Sequence, residues 1–331
     1  MTQHRIPALY MRGGTSKGVF FRGDDLPSDA AVRNRVLLRV VGSPDPYGKH
    51  ADGLGGATSS TSKVVILSRS QRSDCDVDYR FGQVAIEQAL IDWSGNCGNL
   101  SAAVGPAALY LGLVAPPPDG LARVRIWQAN IGKRIDALVP VAAGEPVEEG
   151  GFRFDGVAFT SAEIALEFLD PASDGDDDGG PMFPTGFTVQ WLEVPDVGRI
   201  EVSLVDAGLP TVFVEAASLG LVGTEGQAPV NADATLLARV EAIRAHAAVA
   251  MGLASSATQA TRDRPHVPKL CFVAAPSDFV ASDGRAVLAS SIDLLARVFS
   301  MGRLHHAMTG TGAVALAVAA AVPGTLVHSV S

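Results

Sequence analysis

The chain has 331 residues, a net charge of −9, 47% hydrophobic residues and only 6% aromatic ones. An acidic chain of this composition offers no broad basic surface for nucleic acid or an anionic membrane, and its length favours two domains built from Ala, Val, Leu and Ile. Three widely spaced cysteines, Cys75, Cys97 and Cys271, with no CxxC pair, argue against a disulfide framework or a zinc site and suit a reducing cytoplasm.

The N-terminus lacks the apolar core of a signal peptide. Residues 8–10 and 19–21 read as short strands around a turn at 12–18 that holds Gly13, Gly14, Thr15, Ser16 and Lys17. Residues 29–41 carry helical spacing (Val32, Val36, Leu37, Val40) and stop at Gly42. A Gly/Ser/Thr loop over 47–62 leads into Lys63 and an apolar strand at 64–67. Further strands are expected at 77–79 and 84–86, then a glycine-rich turn around Cys97 and a small-residue helix to about 113. The Pro-rich stretch 115–120 is the best linker, which predicts an N-terminal domain over 1–118 and a C-terminal one over 119–331. Beyond it, strands are expected at 124–127, 135–141, 152–159, 164–168, 200–205, 211–214 and 269–274. Helices are expected at 233–251 and 292–301. The acidic glycine loop at 174–180 lacks the spacing of a calcium loop and reads as solvated. A last turn at 304–312 runs into the alanine-rich segment 313–322, too short to span a membrane and read as a buried helix.

Cys97 lies just before a helix N-terminus, where the partial positive charge favours thiolate and free N–H groups can hold a carboxylate. A buried structural cysteine is the alternative reading of that residue alone. The second half repeats the pattern of strands, a small Gly turn (Met308, Thr309, Gly310, Thr311, Gly312) and an Ala/Val helix, which suits a substrate with several carboxylates. Lys17 in its Gly/Thr/Ser turn has the donors for a carboxylate but not the spacing of a P-loop. Lys63, at the head of an apolar strand after Thr61 and Ser62, could act as a general base if desolvated. Either lysine alone reads as a solvated surface charge; the two together with the cysteine turn read as a site. His305 and His306 read as packed or capping residues, and Arg303 as a carboxylate clamp or a surface charge.

The segments MRGGTSKGVFF (11–21), GSPDPY (42–47), DGLGGATSSTSK (52–63), WSGNCGNL (93–100), WQANIGK (127–133), MFPTG (182–186) and LHHAM (304–308) resemble the 2-methylaconitate cis–trans isomerase family (PrpF type) over nearly the whole chain. The resemblance implies a diaminopimelate epimerase-like α/β (α+β) fold. That fold has two similar domains, each a mixed sheet wrapped around a central helix, with the active site in the cleft between them. It assigns the catalytic roles to Lys63 and Cys97. Substrate-binding roles go to Lys17, Thr15, Ser16, Ser62, Gly98, Asn99, Met308, Thr309, Gly310 and Thr311. Where the epimerases carry a second cysteine, this chain has Thr309, which disfavours a two-thiol racemase. Family members usually continue several tens of residues past the second turn, so the resemblance implies a second domain without its last strands.

The implied activity is a cofactor-independent and metal-independent isomerisation of 2-methylaconitate in propionate degradation through the 2-methylcitrate cycle. The partner is a small tricarboxylate, with no nucleic acid and no membrane, in the cytoplasm; a homodimer is left open. Two alternatives stand beside it: a 4-oxalomesaconate tautomerase or other aconitate-type isomerase of aromatic acid catabolism, and a non-catalytic tricarboxylate-binding protein.

Overall fold

The computed structural model describes residues 4–170 and 181–331. The acidic loop expected at 174–180 lies outside the described residues. Contacts divide the chain into two units, Met1–Asp170 and Pro171–Ser331.

The first unit opens with a hairpin, β1 (Leu9–Gly13) and β2 (Ser16–Arg22), followed by helix α1 (Ala30–Val41). Asp29 caps α1 by accepting from Val32 N–H at 2.8 Å, and Gly42 ends it in the left-handed region at φ +88°, where a side chain would be strained. Strands β3 (Lys63–Arg69), β4 (Val77–Val84) and β5 (Ile91–Asp92) come next, then α2 (Gly98–Ser101) and α3 (Val104–Tyr110). Strands β6 (Gly120–Gln128), β7 (Lys133–Ala142), β8 (Glu145–Pro146) and β9 (Ala165–Phe168) complete the unit. The sheet order is β1-β2-β3-β4-β6-β7-β8, with β5 on β4 and β9 on β7. It is mixed: β2 runs parallel to β3 and β4 to β6, while the other pairs are antiparallel.

Side-chain alternation divides the apolar residues between the two faces. Phe20, Val65, Leu67, Tyr79, Phe81, Ile126 and Val139 pack on Leu100, Val104 and Ala108 of α2–α3. Val19, Phe21, Val64 and Ile66 turn the other way, against Leu37 and Val41 of α1. Strands from both ends of the sheet meet α2–α3, so the sheet curls round that helix. The approach is close. A Cβ on Gly13 would lie 2.6 Å from the Asn99 carbonyl oxygen and 2.9 Å from Leu100 Cα, both backbone atoms that cannot swing aside. Gly13→Ala is expected to cost about 1–3 kcal/mol through overpacking, read as a lowered Tm.

The second unit holds β10 (Gln190–Val194), β11 (Gly198–Ala207), β12 (Leu209–Glu215), α4 (Gln227–Ala232), α5 (Ala234–Ala250), α6 (Ala257–Asp263) and β13 (Lys269–Ala274). It continues with β14 (Phe279–Val280), β15 (Ala286–Val287), β16 (Leu295–Ser300), β17 (Arg303–Leu304), α7 (Gly310–Ala321) and α8 (Leu326–Val330). Its main sheet runs β10-β11-β12-β13-β16-β17, with β12 and β13 parallel. Leu270 and Phe272 face Val240 and Ile243 of α5, whereas Cys271 and Val273 face Ala315 and Ala319 of α7. The internal repeat is now explicit. Each unit runs from an antiparallel hairpin (β1–β2; β11–β12) through a helix on one face (α1; α5). A parallel strand (β3; β13), an antiparallel neighbour (β4; β16) and a small-residue helix on the other face (α2–α3; α7) follow.

Three expectations are corrected. The unit boundary falls at 170/171 rather than 118/119, because β6 pairs directly with β4 and the Pro-rich stretch joins a helix to a strand of the same sheet. Within 292–301, Leu295–Ser300 form strand β16 rather than a helix; the helix-like spacing of Leu295, Val298 and Phe299 arises because the strand is buried at its end on both faces. Residues 152–159 form no strand and leave only a bridge between Phe152 and Ser161.

Candidate active site

Lys63 opens β3 on the same face as Val65 and Leu67, so its side chain projects toward α2. Its register partner across β4 is Gln83, and the two side chains bond: Lys63 Nζ donates to Gln83 Oε1 at 2.6 Å. The ammonium also lies 5.1 Å from the centre of the Phe81 ring. Lys63 is 4% exposed. Burial lowers its pKa below the ordinary lysine value, while the charge and hydrogen bond of Cys97 oppose the shift.

Cys97 is the N-cap of α2. Its Sγ accepts from Leu100 N–H at 3.4 Å and its thiol donates to Ser16 Oγ at 3.6 Å. Asn96 Oδ1 accepts from Cys97 N–H at 2.7 Å and fixes the turn from the other side. Asn99 Nδ2 donates to Thr15 Oγ1 at 2.8 Å, tying the helix start to the β1–β2 turn. Below Cys97 lies the buried Tyr79 hydroxyl, whose pKa is pushed well above its ordinary value, first by burial and then by the charge of Cys97, with Ser101 opposing. Burial raises the Cys75 thiol, and it raises the Cys271 thiol to about 12.

The structure thus gathers Lys63, Cys97, Ser16, Thr15, Gly98 and Asn99 at one end of the first unit. It does not bring Lys17 to them. Strand alternation sends Lys17 to the opposite face from Ser16, where its ammonium sits 5.4 Å from the Tyr10 ring centre. Ser62 is fully buried, with its hydroxyl 3.3 Å from His50 Nδ1 and its carbonyl accepting from Gln83 and Val84. In the second unit Thr309 caps α7 by accepting from Gly312 N–H at 3.2 Å, with Met308 before it and Gly310 and Thr311 in its first turn. Arg303 donates to the Asn231 carbonyl. His305 is buried and its ring stacks on His306 at 4.7 Å.

Sequence reasoning missed Gln83 and Lys269. Gln83 ends the alternating series Val77, Tyr79, Phe81, and a polar residue at the end of such an apolar stripe is the signal that marks it. Lys269 opens β13 as Lys63 opens β3, on the face toward α7, with Ser300 Oγ at the end of β16 accepting from Nζ at 2.8 Å and His266 Nδ1 2.9 Å away. A lysine heading an apolar strand in both halves could have shown it. The WQANIGK motif proves to be a brace: Asn130 holds Phe81 on both its N–H and C=O and also the Trp93 carbonyl. Among the described residues no three His, Cys, Asp or Glu side chains cluster to hold a metal ion. No described helix is long and apolar enough to cross a membrane.

The sequence profile of the family described as PrpF protein matches residues 3–331. The chain belongs to the PrpF family. A relative from Cupriavidus necator named 2-methyl-aconitate isomerase is 56% identical over 333 residues, covering 98% of this chain and 84% of that one. Its namesake from Shewanella oneidensis is 55% identical with the same coverage. The crystal structure of methylitaconate-delta-isomerase matches with a TM-score of 0.74 at 41% identity, over 99% of this PrpF chain and 83% of that one. A hydroxyproline epimerase from Agrobacterium vitis, 15% identical with a TM-score of 0.52, shares the fold alone, in keeping with the diaminopimelate epimerase-like architecture of the PrpF chain.

Proposed function

We propose that this protein interconverts the cis and trans forms of 2-methylaconitate by taking and returning one proton, with Lys63 as the base and Cys97 as its partner. The observation that carries the mechanism is the buried Lys63, its pKa lowered, meeting Cys97 at a helix cap. The names of the relatives at 55–56% identity support the substrate.

Rotation about a C=C bond needs a weakened π bond. The neutral Lys63 amine takes a proton from an allylic carbon and becomes an ammonium. The C–H electron pair delocalises through the double bond into the conjugated carboxylate. The former double bond gains single-bond character and turns, and the same proton position is refilled from the ammonium. In this reading Cys97 and Ser16 donate to the developing anion, and the N–H groups that open α2 at Gly98 and Asn99 add further donors. We assign Met308, Thr309, Gly310 and Thr311, at the start of α7, to carboxylate binding on the same chemical grounds. The wider role proposed is propionate degradation through the 2-methylcitrate cycle.

The test is ¹H NMR of the purified protein with cis- or trans-aconitates in D₂O. Interconversion with deuterium entering the product is expected. Interconversion without any deuterium would replace the proton route by thiol addition and elimination, and tight binding without interconversion would leave a binding protein.

A further inference from the structure

Gln83 is fully buried, and every polar atom of its amide is engaged. Nε2 donates to the Ser59 carbonyl at 3.1 Å and to the Ser62 carbonyl at 3.2 Å, and Oε1 accepts from Lys63 Nζ at 2.6 Å. We propose that Gln83 is a positioning residue that holds Lys63 by a single hydrogen bond and aims the rest of the amine at Cys97. The proposal rests on the reading of Lys63 as the base.

The amide can sit only one way round. Two carbonyls demand the NH₂ group, which leaves the oxygen for Lys63. The carbonyls belong to the Gly/Ser/Thr loop at 47–62, which the proposed chemistry otherwise leaves without a role. That loop is closed on itself: Ala57 N–H donates to His50 Nδ1 at 3.3 Å, Ser62 Oγ lies 3.3 Å from the same nitrogen, and Gly56 N–H donates to the Thr61 carbonyl at 3.2 Å. The loop fixes Gln83, and Gln83 fixes Lys63. A neutral amine has two hydrogens and one lone pair, so giving one hydrogen to Gln83 restricts where the lone pair points. The choice of an amide also matters. A neutral acceptor steadies the ammonium against burial without holding it protonated, as a carboxylate would. The titratable groups facing this point are Cys97 from α2 and, beside it, Tyr79 from β4, with His50 behind Ser62.

Two variants of the full chain test the proposal. Gln83→Met removes the acceptor at similar size. It should lower kcat by about tenfold or more through misorientation while KM stays within about threefold. With Cys97 left as the remaining partner of the ammonium, the acidic limb of the pH–rate profile should move down by about one unit. Gln83→Glu should move the same limb up. The titration of Lys63 is read independently of turnover by NMR of ε-¹³C-lysine protein, assigned through Lys63→Arg, with folding checked by Tm. Opposite shifts of that titration in the two variants support the proposal. Folded variants that leave it and kcat unchanged overturn it, as does an equal loss of rate in both with no shift in pH. Should Gln83→Met fail to fold, Gln83→Glu alone decides by the upward shift or its absence. A wild-type protein that isomerises nothing while Lys63 still moves with Gln83 would sink the functional reading and leave the positioning role standing.

Discussion

Replacing Lys63 by methionine is expected to lower kcat by about 10²–10⁴-fold, the range a positioned general base contributes, with little change in KM. Lys63→Arg should not restore activity, because a guanidinium stays protonated at any working pH. Loss of activity should not come with loss of fold. A buried ammonium is expensive, and methionine keeps most of its volume in an apolar setting beside Phe81. That relief is offset by the buried Gln83 Oε1, which loses its donor, so the Tm of Lys63→Met is expected to change little. The sign of the pH dependence follows from the same burial. Lys63 is less readily protonated in the folded chain than in the unfolded one, so the unfolded chain binds more protons and stability climbs with pH between the lowered value and the ordinary lysine value. Lys63→Met should flatten that climb. Activity in the wild type should rise through the lowered pKa, since the base works deprotonated. A Lys63→Met enzyme with near-normal turnover would remove Lys63 from the reaction.

Cys97 allows a sharper division. Cys97→Ser keeps a hydroxyl donor and a favourable helix cap, so under the proton route it should retain most of its activity and its Tm. Cys97→Ala loses both the donor and the cap. It should fall by about 10²-fold in kcat and lose about 1 kcal/mol of stability. Under thiol addition the two variants would be equally inactive, because neither can form the carbon–sulfur bond. Steady-state kinetics on both, with mass spectrometry for a trapped adduct on the wild type, separates the routes.

Much of this was legible in the chain, for local reasons. The β1–β2 hairpin, the capped helix α1 ending at Gly42, the apolar strand after Lys63 and the cysteine at a helix start all depend on near neighbours. The features that were missed depend on distant ones. Lys17 and Ser16 are adjacent in sequence, yet the pleat puts them on opposite faces, and only the pairing of β2 with β3 says which face meets α2. Residues 292–301 carry helical spacing, but pairing with β13 overrides it. The Pro-rich stretch at 115–120 looks like a break between domains because nothing local shows that β6 will return to pair with β4. Gln83 is unremarkable until β4 is laid against β3 and Lys63 is found directly opposite.

The burial of Lys63 carries a stereochemical and isotopic consequence. A lone base beneath one face of the substrate must hand the proton back to the face it came from. A sealed carboxylate would return the very same hydrogen. A lysine cannot do so faithfully, because an ammonium that has rotated carries three equivalent hydrogens. In D₂O two of the three come from solvent before the substrate arrives, so heavy hydrogen reaches the product even on a first turnover during which no water enters. A catalyst built on this residue keeps some memory of the original hydrogen, and the fraction kept measures how long the site stays shut.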